Sequence, residues 1–163
     1  MTYSIWLVPS IQDGKYVKKM IRNLAKEYGA PVFLPHITVY GGITRRSAAI
    51  DAVRSCRGLP KLTVRANAIR TSDYLWKTLY LDIKPNARLC KIHQTCKRTL
   101  GRHVMYKFKP HMSLMYKKMD RTTKTGITKN LKIKRTYLFD RMVLIQSSSK
   151  VSEWKVITSA RLS

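Results

Sequence analysis

Pro35-His36-Ile37-Thr38-Val39-Tyr40 recurs downstream as Pro110-His111-Met112-Ser113-Leu114-Met115-Tyr116. Both copies read proline, histidine, apolar, hydroxyl, apolar. The alternation is the period-two pattern of a half-buried strand. His36 and Thr38 therefore share one strand face, and His111 and Ser113 share another, while Ile37, Val39, Met112 and Leu114 point the opposite way into a core. An imidazole moves protons near neutral pH, and a hydroxyl can hydrogen-bond a developing oxyanion. The two groups, presented together twice, point to phosphodiester chemistry.

The two histidines are 111 − 36 = 75 residues apart. Before the first lies an apolar strand over 3–9, ended by Pro9. A helix over 15–28 follows, with Tyr16, Val17, Met20, Ile21, Leu24, Ala25 and Tyr28 on one stripe, Asp13 as its N-cap and Gly29 as its stop. Before the second histidine lie an alternating strand over 77–83 and a helix over 87–100, capped by Asn86 and stopped by Gly101. A 75-residue shift lays Leu79-Tyr80-Leu81 over Ser4-Ile5-Trp6 and the later helix nearly over the earlier one. This is a β-α-β pseudo-repeat, and it predicts two similar lobes, 1–76 and 77–163, facing one cleft across an approximate two-fold. Between the copies, Thr44 caps a helix over 46–57 that buries Ala49, Ala52, Val53 and Cys56 and stops at Gly58; a strand over 62–71 follows. After His111 comes a basic segment, 117–135, with room for a short helix. Strands over 137–146 and 154–162, joined by Ser147-Ser148-Ser149-Lys150, complete the pattern.

A chain of 163 residues with 44% hydrophobic composition supports one domain with a real core. Cys56, Cys90 and Cys96 show no Cys-x-x-Cys spacing, which suits reduced thiols in a cytoplasmic or nuclear protein better than a disulfide frame or a zinc site. No run approaches the roughly 20 apolar residues needed to cross a bilayer, and residues 1–10 do not read as a secretory leader. Lys plus Arg number 33 against 8 Asp plus Glu, a formal charge of +25. Such a field concentrates polyanions and directs attention to nucleotides or nucleic acid. Carboxylates are too scarce to suggest a glycosidase pair or a two-metal centre. The glycines form neither a Walker loop nor a Gly-x-Gly-x-x-Gly turn.

The pattern His-x-Ser/Thr is weak alone. His93-Gln94-Thr95 also matches, but it lies in a helical stretch, where positions two apart point to nearly opposite sides. His93 therefore reads as structural, and His103, without a hydroxyl partner, reads the same way. For His36 and His111 the plain alternative is a hydrogen-bonded strand histidine. Matched prolines, matched alternation and equivalent places in a repeat favour one shared site instead.

At these residues the chain resembles the two-histidine (2H) phosphoesterase superfamily, and within it the plant and fungal cyclic phosphodiesterases. Tyr3-Ser4-Ile5-Trp6-Leu7-Val8-Pro9 looks like the family's first strand, the segments around His36 and His111 like its two motifs, and Glu153-Trp154 like the pair before its last strand. The resemblance implies a bilobal α+β fold with antiparallel-rich sheets around a central cleft, and cofactor-free, metal-independent opening of a cyclic phosphate. It carries the catalytic histidines to His36 and His111 and the phosphate-binding hydroxyls to Thr38 and Ser113. Tyr116 matches a substrate-contacting tyrosine, a role that requires a bend at the strand end. Trp6 stacks a base, lines the cleft or fills the core, and Tyr40 is taken as a further substrate contact. The expected substrates are 2′,3′-cyclic nucleotides, RNA ends or ADP-ribose bearing cyclic phosphates, bound by a monomer away from any membrane. Arg45-Arg46 and residues 117–135 would grip an RNA backbone. Two alternatives stand beside this: a 2′,5′-phosphodiesterase acting on oligoadenylates or cyclic dinucleotides, and an inactive RNA-binding module.

Overall fold

The computed structural model describes residues 1–163 except the side chain of His103, so the reading of His103 lies outside what is described. Seven strands and four helices follow in the order β1 (Thr2–Pro9), α1 (Ile11–Tyr28), β2 (Ile37–Ile43), α2 (Arg46–Arg54), β3 (Leu62–Thr71), β4 (Leu79–Lys84), α3 (Ala87–Leu100), β5 (His111–Met115), α4 (Arg121–Asn130), β6 (Thr136–Ser147) and β7 (Lys155–Arg161). The basic segment does hold a helix, α4, started by Asp120, whose carboxylate accepts from the Thr123 N–H at 2.8 Å. Asn86 caps α3 as expected, accepting from the Leu89 N–H. Gly29 ends α1 in the left-handed conformation, φ 64°, that glycine tolerates best.

Two caps differ from expectation. Helix α1 begins at Ile11, with the Ser10 hydroxyl rather than Asp13 as its cap. Asp13 is buried and accepts from the Leu138 N–H at 2.6 Å and from Lys134, so its carboxylate ties α1 to β6. Thr44 caps nothing; α2 starts after Arg45 without a side-chain cap and ends at Arg54, short of Gly58.

Every strand pairing is antiparallel. β1 pairs with β2 and β6, and β4 pairs with β5 and β3; the two halves join through β2–β5 and β3–β6. Exchanging β1 with β4, β2 with β5 and β3 with β6 leaves this pattern unchanged, which is the two-fold the repeat predicted. The pattern also qualifies the division at 76/77. The third strand of each sequence half pairs with the first strand of the other half, so each spatial lobe is built from both halves, and β7 adds to the edge of β6.

The repeat is also one residue out of step at its first strands. Ile5 and Leu7 face the helices, as do Leu79 and Leu81, while Trp6 lies opposite Thr38 and Tyr80 opposite Ser113. The equivalence is therefore 80 − 6 = 74, placing Leu79-Tyr80-Leu81 over Ile5-Trp6-Leu7. A shift of 75 would turn every side chain to the wrong face. The helix-side face of the sheet and all four helices form one core, each fully buried Leu or Ile contributing ~1.5–3 kcal/mol. A small second cluster, Trp6, Val8, Val143 and Ile145 with Leu34 and Trp154 against it, lies on the cleft side.

Candidate active site

β2 and β5 meet at one pair, Ile37 opposite Met112. Carried one residue either way, this antiparallel register sets His36 across from Ser113 and Thr38 across from His111. Directly opposed side chains start about 4.5–5.5 Å apart at Cβ. One histidine from each motif thus faces the hydroxyl of the other. All four line a single cavity of about 440 Å³, together with Trp6 and Tyr116.

The Nδ1 of His36 lies 2.6 Å from the Leu34 carbonyl and that of His111 lies 2.8 Å from the Lys109 carbonyl. A carbonyl can only accept, so both Nδ1 atoms carry hydrogen, and each Nε2 is left free for the cavity. The surroundings otherwise differ. Trp6 stacks flat on His36 with ring centroids 3.5 Å apart and planes 4° apart, whereas Tyr80 meets His111 edge-on at 5.5 Å. Burial pushes the pKa of His36 down to about 3, against the Leu34 hydrogen bond and with help from the neighbouring His111. Burial lowers His111 as well, and Lys77 adds to this, but the Lys109 carbonyl and the Asp82 carboxylate pull it back up. Asp82 lies directly opposite His111. At the equivalent place in the other half, 74 residues earlier, stands Val8. Asp82 and Lys77, both on the His111 side alone, break the charge symmetry of the site in opposite directions, and the deeper burial of His36 adds to the difference.

Thr38 is half-buried on the cavity wall. Ser113 is buried, and its hydroxyl donates to the Trp76 carbonyl at 3.1 Å, a bond that must turn before it can serve an anion. Tyr116 does reach the cavity. β5 stops at Met115, which frees the next residue from strand alternation, and its ring stacks on Phe33 at 3.9 Å. Burial raises the Tyr116 pKa, so it stays a neutral donor. Trp6 lines the cavity floor, but His36 covers its ring face.

Tyr40 is not a cavity residue. A bulge in the β1–β2 pairing puts Trp6 opposite Thr38 but Ile5 opposite Tyr40, so Tyr40 turns to the helix side. There its hydroxyl donates to the Val104 carbonyl at 2.8 Å. Arg45, Arg46 and residues 117–135 do not line the cavity either. α2 packs on the helix side of β1 and β6, and in the basic segment Lys117 donates to the Tyr28 carbonyl, Lys124 pairs with Asp73 and Lys134 pairs with Asp13.

The site also contains residues that sequence reasoning missed. Lys77 is the one Lys or Arg among the described cavity residues, and no Asp or Glu joins it. Trp76, Trp154, Tyr106 and the exposed Tyr74 supply aromatic walls suited to a base. Trp76 and Lys77 lie in a single helical turn, Leu75–Lys77, before β4, which begins at Leu79 rather than at 77 as the alternation predicted, so the strand pattern did not mark Lys77 as a cavity residue. Among the described residues no three His, Cys, Asp or Glu side chains stand together to hold a metal ion, and no helix is long and apolar enough to cross a membrane.

His93 is structural, as the helical setting implied. Its Nδ1 donates to the Val39 carbonyl at 3.0 Å, and its ring stacks between Tyr40 and Phe108. His93→Ala is expected to lower stability by about 1–3 kcal/mol in urea denaturation while kcat stays within about threefold of the parent; a hundredfold loss of kcat in a folded variant would return His93 to the site.

Two histidines and two hydroxyls, each pair split between lobes related by a pseudo-two-fold, line one cavity, the arrangement expected of the two-histidine phosphoesterase class. The chain belongs to the cyclic phosphodiesterase-like protein family, whose model matches residues 1–162. It is 25% identical over 118 residues to the cyclic phosphodiesterase of Arabidopsis thaliana, a match covering 70% of this chain and 64% of that protein. In fold it is similar to E. coli LigT in apo form, with TM-score 0.67 at 12% identity over 99% of this chain and 96% of that one. A Thermus thermophilus protein gives TM-score 0.65 at 12% identity, over 99% and 97% of the chains.

Proposed function

We propose that this protein hydrolyses a cyclic phosphodiester, 2′,3′-linked on a nucleotide or an RNA end or carried by ADP-ribose, through acid–base exchange between His36 and His111 without a metal ion. The observation that carries this reading is the unequal setting of two histidines in one cavity. Paired titratable groups whose surroundings push their pKa values apart divide the acid and base roles. His36, stacked on Trp6 and opposite Val8, is neutral before substrate arrives and takes a proton at Nε2 from the water attacking phosphorus. His111, facing Asp82, holds its proton to higher pH and gives it from Nε2 to the ribose oxygen as the P–O bond breaks. Thr38 and Ser113 hydrogen-bond the non-bridging oxygens, Lys77 offsets their charge, and the aromatic walls hold the base. E. coli LigT has been crystallised with phosphate and with 3′-AMP, which supports a nucleotide ligand for the shared fold.

A product assay over 2′,3′-cyclic nucleotides, cyclic-phosphate RNA, ADP-ribose cyclic phosphate, 2′,5′-oligoadenylate and cyclic dinucleotides tests the reaction. Turnover of cyclic phosphates that survives EDTA is expected; loss in EDTA, or cleavage of 2′,5′ linkages alone, overturns the reading. Asp82→Asn tests the division of roles. Removing the carboxylate lowers the pKa of His111, so the basic limb of the pH–rate profile is expected to move to lower pH with the acidic limb unchanged. Movement of the acidic limb would reverse the assignment.

A further inference from the structure

A second cavity, of about 630 Å³, runs between α1 and the Leu34-Pro35 segment that leads into His36. Its walls are amphipathic. Val8, Pro9, Ile11, Leu34 and Pro35 give an apolar floor and rim, and Lys15, Lys18, Lys19, Arg22 and Arg141 supply cations without an Asp or Glu among them. The four α1 cations fall at i, i+3, i+4 and i+7, one stripe of the helix beside the stripe that buries Val17, Ile21 and Leu24. Like charges four apart cost a helix about 0.2–0.5 kcal/mol per pair, so the stripe is no device for folding. None of the five cations lies in an ion pair among the described residues. The Arg141 Nε is buried without a hydrogen-bond partner, beside Val8 on the cleft face of β6. Burial and the neighbouring Arg22 lower the Lys18 pKa, the response of a cation that lacks an anion.

The groove lies next to the catalytic cavity, and although the two share no lining residue, they are separated only by the segment 34–36 and Trp6. Leu34, on its wall, packs on the cluster containing Trp6, which floors the site, and the Leu34 carbonyl orients His36. Two residues of chain, at most about 7 Å, separate Leu34 from His36.

We infer that this groove holds the nucleotides preceding the terminal one of an RNA strand whose cyclic phosphate lies between His36 and His111. Phosphates meet the α1 stripe and Arg141, and sugars and bases lie on the apolar floor. The strand is RNA because a 2′,3′-cyclic end requires a 2′-oxygen. The inference rests on the proposed cyclic-phosphate reading, and it transfers the backbone grip from Arg45-Arg46 and residues 117–135 to α1.

Lys18→Gln/Arg22→Gln tests it, since glutamine keeps the helix and both positions lie outside the core. For an RNA hexamer ending in a 2′,3′-cyclic phosphate, kcat/KM is expected to fall at least tenfold. The log–log salt dependence is expected to flatten by about 1–1.4, at about 0.7 for each phosphate no longer neutralised. Turnover of a 2′,3′-cyclic mononucleotide is expected to change by less than twofold. An equal fall for both substrates, or none for the hexamer, overturns the inference. Should the parent turn over no cyclic phosphate, anisotropy with a 3′-phosphorylated hexamer separates the two readings: at least tenfold weaker binding by the variant sustains the groove, and unchanged affinity removes it.

Discussion

His36→Ala and His111→Ala are each expected to lower kcat/KM on a 2′,3′-cyclic nucleotide by about 10²–10⁴-fold, the range for loss of a positioned general acid or base. Because attack and departure share one transition state, the double variant should lose little beyond the worse single one. Thr38→Val and Ser113→Ala remove donors to the charged oxygens and are expected to cost about 10²–10³-fold in kcat. The Ser113 effect should be the smaller, since its hydroxyl must first leave the Trp76 carbonyl. Thermal unfolding identifies any variant that has merely lost its fold. Near-normal turnover by both single histidine variants would sink the mechanism.

Acid is expected to destabilise the protein through the same histidine. His36 is 6% exposed, and burial holds its pKa at about 3, while in the unfolded chain the imidazole titrates near 6.5. Below pH 6.5 the unfolded state binds the extra proton. Stability from this group is complete above that pH and is lost as pH falls toward 3, with a slope of up to ~1.4 kcal/mol per pH unit. His111, lowered in the same direction, adds to the loss. His36→Phe keeps a ring against Trp6 but cannot titrate, so between pH 6 and 4 its stability should fall less steeply than the parent's in urea titrations. Parallel curves would show that His36 is not buried neutral.

An anion in the cleft changes this balance, because a phosphate beside both Nε2 atoms favours their charged forms. On the proposed mechanism, the site that costs stability at low pH would accept a proton more readily once an anion is bound. The Trp6 stack sets how strongly. Truncating Trp6 would open the His36 face to water and bring its pKa back toward the ordinary value.

The sequence alone determined which residues share a face. Period-two alternation placed His36 with Thr38 and His111 with Ser113, helical period excluded His93-Gln94-Thr95, and the 75-residue echo joined the two motifs in one cleft. The first two are local readings, fixed by backbone geometry within single elements; the third compares two such strands along the chain. Only the tertiary structure decided what each face meets. The bulge that turns Tyr40 into the core, the one-residue slip that pairs Trp6 with Tyr80 and the exchange of β3 and β6 between lobes all depend on register between strands far apart in the chain. So do Lys77 in the cavity, Val8 where the other half has Asp82, and the cationic stripe of α1 beside Pro35. A pattern within one strand carries no record of its neighbours' desolvation and charge, and those neighbours are what make two equivalent histidines unequal.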